Sequence, residues 1–263
     1  MLQGIFLDLE GVVYQDQSVI PGALEAIDTL NRGGLRCRYV TNTTTQPRSA
    51  IAERMSGMGL SVDPDYLMTP PVAAGLFLAG MHASRIHLAA AESLVEDFHG
   101  FELVGVNAEN IDAIVLGDLY RDFTWQRLND LFQVMAREVP LVALHKNRMC
   151  RRAEGLSLDL GPFVAALEYA SAVRAHVVGK PSATFFKLAL EKVGLSANEV
   201  LMVGDDIEAD IGGAKAAGLV AVQVKTGKYR RQDEDHPSVT ADGRVNSLAD
   251  LPRWITGHAA RQT

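Results

Sequence analysis

Gly4-Ile5-Phe6-Leu7-Asp8-Leu9-Glu10-Gly11-Val12-Val13-Tyr14 starts as an apolar run of strand length and breaks into two carboxylates one residue apart, followed by a glycine. Alternate residues of a strand point the same way, so Asp8 and Glu10 can face one small volume just beyond the end of a sheet. Taken alone the pair also fits an ordinary turn or a helix cap. The rest of the chain decides between these readings.

Apolar runs of strand length alternate with stretches of helical period throughout the 263 residues, the pattern of βα units feeding a parallel sheet. Pro21 opens the helix after the first strand and Gly33-Gly34 closes it. Arg36 to Val40 reads as the next strand and ends in Thr41-Asn42-Thr43-Thr44-Thr45. The following helix carries Ile51, Met55 and Met58. From about Pro71 the alternation restarts, with strands at Arg85 to Ala89, Ala113 to Leu116 and Leu141 to Leu144. Helices are expected around Glu92 to Phe98, Trp125 to Arg137 and Gly161 to Ala170.

This middle third reads as an inserted α/β domain over 76–175, the core being 1–75 and 176–263. His176-Val177-Val178 is expected to return to the core. A helix at Thr184 to Val193 and the strand Val200 to Val203 follow, ending in Gly204-Asp205-Asp206. The last units are a helix at Ile211 to Ala217 and a strand at Val220 to Val224. Lys228 to Pro237 reads as a charged loop, and the residues after Trp254 as frayed.

Composition narrows the function classes. A net charge of −7 supplies no general basic field for a polyanion, so nucleic acid is not an expected partner. Cys37 and Cys150 form no metal-binding or disulfide spacing, and the seven histidines show no zinc pattern. Charged residues interrupt every apolar run before the ~20 residues of a membrane span. The acidic strand end comes too early to leave room for a secretory signal. A cytoplasmic protein without membrane attachment is the expectation.

Four strand ends carry polar groups: Asp8 with Glu10; Thr41 with Asn42; Lys180 in Gly179-Lys180-Pro181-Ser182; and Asp205, Asp206 and Asp210. Ligands of open parallel sheets bind outside the carboxyl ends of the strands, so these positions can converge. Crowded carboxylates resist shared ionisation unless a cation neutralises them, and an all-oxygen set suits Mg²⁺. Lys180 adds a compact positive charge, and the donors around Thr41 and Asn42 can cradle phosphate oxygens. Individually each has a plainer reading: Asp210 as the N-cap of the helix from Ile211, Thr41-Asn42 as a turn, Lys180 as a solvated lysine.

In this order the segments Asp8-Leu9-Glu10-Gly11-Val12, Val40-Thr41-Asn42, Gly179-Lys180-Pro181 and Gly204-Asp205-Asp206-Ile207-Glu208-Ala209-Asp210 resemble the four motifs of the haloacid dehalogenase superfamily. The resemblance implies a Rossmann-like parallel-sheet core whose insert is a smaller α/β cap of the superfamily's second structural class, subfamily IIA. The segments Gly161 to Ala170, Val177 to Ser182 and Val224-Lys225-Thr226-Gly227-Lys228-Tyr229-Arg230 are similar to its phospholysine phosphohistidine inorganic pyrophosphate phosphatase branch.

The implied chemistry is a Mg²⁺-dependent phosphatase acting on a small phosphorylated metabolite, pyrophosphate or an N-linked phosphate. Asp8 would be the nucleophile, and Asp8, the Glu10 backbone carbonyl and Asp205 the metal ligands. Thr41, Asn42 and Lys180 would hold the phosphoryl group, with Asp206 and Asp210 orienting the metal's waters and Lys180. A homodimer through the cap belongs to the same expectation. His145 and Asn147, after an insert strand, either face substrate or sit in a solvated loop.

Glu10 departs from the family pattern, which has the acid–base Asp there. Glu adds a C–C bond, about 1.5 Å of reach, and a misplacement of about 1 Å can cost on the order of a hundredfold in rate. Two alternatives stand beside the leading one, the second of them because of Glu10. The first is a phosphosugar, phosphoglycolate or nucleotide monophosphatase of the same family. The second is a catalytically weak protein that binds Mg²⁺ and phosphate.

Overall fold

The computed structural model describes residues 2–152 and 155–259. Contacts divide the chain into two compact units. The first holds the residues up to Thr41, Arg48–Met68 and those from Lys180 onward; the second holds Asn42–Pro47 and Thr69–Gly179.

The first unit is built on a six-stranded sheet in the order Gly243–Val245, Val220–Val224, Val200–Gly204, Gly4–Asp8, Arg36–Val40, Leu67–Met68. Every pairing is parallel. Gly4–Asp8 and Val200–Gly204 are buried along their whole length, as expected of strands covered on both faces, and this is why they read as unbroken apolar runs. Ile5 and Leu7 pack into one core with Ala23, Ala26, Ile27 and Leu30 of the helix Ala23–Arg32 and with Ile51 and Met55 of the helix Arg48–Gly57. Phe6 points the other way, with Val40, Ala189 and Val193 around the same small cavity.

Chain order reverses at Gly4–Asp8. Later strands add outward on either side of it, so a crevice opens at its carboxyl end. The register sets Leu7 opposite Val203 and Asp8 opposite Val40, which brings Asp205 and Thr41 just past the ends of the two neighbouring strands.

The second unit has its own parallel sheet, in the order His176–Val177, Leu141–Ala143, Ala113–Leu116, Arg85–Ala89, Glu102–Leu103. Its helices begin with side-chain caps: Thr69 accepts from the Val72 amide, Thr124 from Arg127, and Asp159 from Leu160. Met149–Arg152 and Gly155–Leu158 form a separate antiparallel ribbon.

Several boundaries differ from the sequence reading. The insert runs over Thr69–Gly179 and also takes in Asn42–Pro47, where 76–175 was expected. His176–Val177 does not return to the core; it pairs with Val142 and Ala143 as an edge strand of the insert. Glu92–Phe98 is wound as 3₁₀ turns, and Arg231–Asp235 within the charged loop forms another. The helix from Leu251 continues to Ala259, past the expected fraying point at Trp254. Among the described residues no helix is long and apolar enough to cross a membrane.

The expected helix Ile211 to Ala217 starts earlier, as a π-helical turn over Ile207–Gly212, and becomes α-helical over Gly213–Ala216. Its N-cap is Asp206, whose side chain accepts from the Glu208 and Ala209 amides, and not Asp210. The turn folds Asp210 back onto the strand end. A Cβ on Gly204 would overlap the Asp210 side chain, so the close approach requires glycine there. Gly204→Ala is expected to cost about 1–3 kcal/mol in chemical unfolding. Gly57→Ala, with open space around its Cβ, is the control. Equal effects of the two would remove the packing argument.

Candidate active site

Asp8 ends the central strand with its side chain buried, and its Oδ1 accepts a hydrogen bond from Lys180 Nζ at 2.7 Å. The same ammonium donates to Asp210 Oδ1 at 2.6 Å. Lys180 is 3% exposed and Asp210 fully buried, so one cation is shared by two carboxylates away from water. Burial disfavours the charged lysine, but Asp210 and Asp8 outweigh it and drive its pKa up. Ser182 starts the helix Ala183–Val193 by accepting from the Thr184 amide, which fixes the segment that carries Lys180.

Asp205, 1% exposed, follows the neighbouring strand. Asp8, Asp205 and Asp210 each offer a carboxylate oxygen within 4.8 Å of the others. Burial first, and then Asp210 against the opposing Lys180, pushes Asp8 up to about 6. Burial, then Asp8 and Asp210, pushes Asp205 up to about 7. The Lys228 amide donates to Asp205 Oδ2 at 2.7 Å, while the buried Oδ1 has no hydrogen-bond partner among the described residues.

An orphaned carboxylate oxygen in a cluster of hard oxygen donors fits a divalent cation such as Mg²⁺. Asp8 and Asp205 are the residues that would hold it. Asp210, expected only in a supporting role, lies in the cluster itself, with Oδ1 on Lys180 and Oδ2 accepting from the Asp206 amide at 3.1 Å. Asp206 stays outside: its Oδ1 caps the π turn and its Oδ2 lies 3.5 Å from Lys228 Nζ. Burial opposes ionisation of Asp206, but the two amides and Lys228 outweigh it and hold its pKa low.

Glu10 is exposed, and its Oε1 accepts a hydrogen bond from the Asp16 amide at 2.8 Å. The side chain is thus tied into its own loop, where Tyr14–Gln15 and Ser18–Val19 form a short hairpin. Thr41 is buried beyond the neighbouring strand, with its amide donating to Met68 O. Asn42 belongs to the second compact unit.

His145 and Asn147 are also in that unit. His145 is 4% exposed, with Nε2 3.7 Å from Asp159 Oδ1, and burial lowers its pKa against the opposing pull of Asp159 and Asp118. Asn147 is exposed, and its carbonyl accepts from the Gly161 amide. Lys228 and its turn were not among the expected site residues. The signal for them was present, because Val220–Val224 is another strand of the same sheet and its carboxyl end is equally placed to contribute.

Two family models match the chain. A family model described as haloacid dehalogenase-like hydrolase matches residues 5–103, and one described as HAD-hydrolase-like matches 177–251. A Xenopus laevis protein named phospholysine phosphohistidine inorganic pyrophosphate phosphatase is 39% identical over 255 residues, covering 94% of this chain and 92% of its own. Among solved structures, a p-nitrophenyl phosphatase from Archaeoglobus fulgidus superposes with a TM-score of 0.89 at 26% identity, over 96% of this chain and 99% of that one. A glycerol phosphate phosphatase from Mycobacterium tuberculosis, in complex with calcium, superposes with a TM-score of 0.83 at 25% identity, over 95% of this chain and 74% of that one. The chain belongs to the haloacid dehalogenase-like hydrolases, among their phosphatases.

Proposed function

We propose that the protein is a Mg²⁺-dependent phosphatase that transfers the phosphoryl group of a small substrate to Asp8 and then to water. The observation that carries this reading is the buried Asp8 carboxylate, held by Lys180 beside Asp205, whose Oδ1 lacks a partner among the described residues. Bound Mg²⁺ would supply charge neutralisation to the carboxylates and to the phosphoryl oxygens. The calcium bound by the glycerol phosphate phosphatase supports a divalent-cation site in this fold.

The remaining work falls to the chain's own groups. Lys180 holds one oxygen of Asp8, fixing the carboxylate so that its other oxygen is free to attack phosphorus. Asp210 anchors Lys180 from the opposite side and is itself anchored by the Asp206 amide. Thr41 and Asn42 contribute donors to the transferring phosphoryl group. Glu10 is the candidate proton donor to the leaving group, with its carboxyl held in its own loop by the bond from the Asp16 amide to Oε1. The insert serves as a cap that favours small substrates and excludes water.

Pyrophosphate and N-linked phosphates lead the substrate classes, on the strength of the name of the Xenopus laevis relative. Sugar phosphates, phosphoglycolate and nucleoside monophosphates form the second group. A specific observation also favours slow turnover: the longer Glu10 side chain is held by its own loop.

A panel of pyrophosphate, phosphoramidates and phosphate esters assayed with Mg²⁺ tests the proposal. At least one class is expected to be hydrolysed, with Asp8→Asn losing at least about a thousandfold in kcat. Hydrolysis that survives Asp8→Asn would contradict it, and no hydrolysis of any class would favour the binding-protein alternative. Glu10→Asp is expected to raise kcat by about tenfold or more; a fast wild type slowed by that change would overturn the argument about reach.

The acidic cluster also sets a pH dependence. Asp8 and Asp205 bind protons more tightly in the folded chain than their ordinary value of 3.8 allows. The contribution of these two groups to stability without metal therefore falls as pH rises from about 4 to about 7, where they hold more protons in the folded chain than in the unfolded one. Protons and cation compete for these oxygens. The rise in Tm caused by Mg²⁺ is expected to be largest above about pH 7 and to shrink towards pH 5. A pH-independent rise would place the cation elsewhere.

A further inference from the structure

Val220–Val224 lies beside Val200–Gly204 in the sheet, so the chain leaving it arrives next to Asp205. There it makes the turn Thr226-Gly227-Lys228, which touches both the metal-type carboxylate and the loop after the nucleophile. Thr226 Oγ1 donates to the carbonyl of Gly11, and the Lys228 amide donates to Asp205 Oδ2. Between these bonds Gly227 and Gly11 press against each other: a Cβ on Gly227 would lie 2.6 Å from Gly11 Cα, and a Cβ on either glycine would overlap Asp205 Oδ2. Both have positive φ, 62° and 84°, so the backbone path itself depends on glycine.

The two oxygens of an aspartate are chemically equivalent, and a free side chain presents either. Here Oδ2 is enclosed between two glycines and gripped by an amide, whereas Oδ1 is buried with no partner among the described residues. We infer that the Thr226–Lys228 turn is the positioning element that selects Oδ1 of Asp205 as the metal-facing oxygen. Thr226 is its fastener, clasping the turn to the loop that follows Asp8. The inference rests on the proposed reading of Asp205 as a ligand of a divalent cation.

Thr226 commits its hydroxyl to the Gly11 carbonyl and acts on Asp205 only through the turn, so its effect is expected in cation affinity. Thr226→Val keeps the shape and deletes the donor; Thr226→Ser keeps the donor. Isothermal titration with Mg²⁺, and with Ca²⁺ as a second probe, is expected to give binding about 10–100-fold weaker for Thr226→Val. Thr226→Ser is expected within about threefold of wild type, the size of ordinary context effects for a retained hydrogen bond. Should Thr226→Val not fold, Thr226→Cys, which keeps only a weak S–H donor, is expected to show an intermediate loss. Unchanged cation affinity in these variants, with the same fall in Tm with and without Mg²⁺, would reduce Thr226 to a structural contact and overturn the inference. Absence of cation binding by the wild type would instead overturn the metal reading, and the inference with it.

Discussion

One buried ammonium organises this protein. Lys180 holds Asp8 and Asp210 at hydrogen-bond distance, and a third carboxylate, Asp205, completes the cluster. Three buried acids against one buried lysine leave negative charge with little exposure to water. Burying charge without compensation is costly, so the site either retains protons or takes up a cation. The upward shifts of Asp8 and Asp205 express the first option, and the orphaned Oδ1 of Asp205 prepares the second.

The fold exists around that constraint in a definite sense. Asp8, Lys180 and Asp205 are far apart in sequence and meet because Gly4–Asp8 is the central strand, with Val200–Gly204 as its neighbour. Gly204 and the π turn then bring Asp210 onto the strand end, with Asp206 capping the turn from outside. The Thr226–Lys228 turn, from one strand further out, closes on Asp205 and on the loop after Asp8. Each contact is weak taken singly; together they hold the charges in one geometry, which is what phosphoryl transfer asks of a protein.

The parts visible in the sequence were those with a local signal. Unbroken apolar runs marked Gly4–Asp8, Ala113–Leu116 and Val200–Gly204 nearly to the residue, because strands covered on both faces leave such runs. His176–Val177 was misplaced since a two-residue strand has no pattern of its own; only its pairing with Leu141–Ala143 assigns it to the insert. Likewise, Asp210 reads as the N-cap of a helix from Ile211, and only the π turn, which starts that helix at Ile207, gives the cap to Asp206. Thr226 stood in a segment whose place at a strand end was legible, but its bond to Gly11, far away in sequence, was not. For Glu10 the sequence raised a question of reach, and the structure adds where the side chain rests, on the Asp16 amide.

The central claim is that Asp8 accepts the phosphoryl group. Rapid acid quench of enzyme mixed with a hydrolysed substrate and Mg²⁺, followed by peptide mass spectrometry, tests it most directly. The account predicts an acid-stable, hydroxylamine-sensitive acyl phosphate on the peptide containing Asp8, absent in Asp8→Asn. Phosphate found on a different residue of the active enzyme would contradict it.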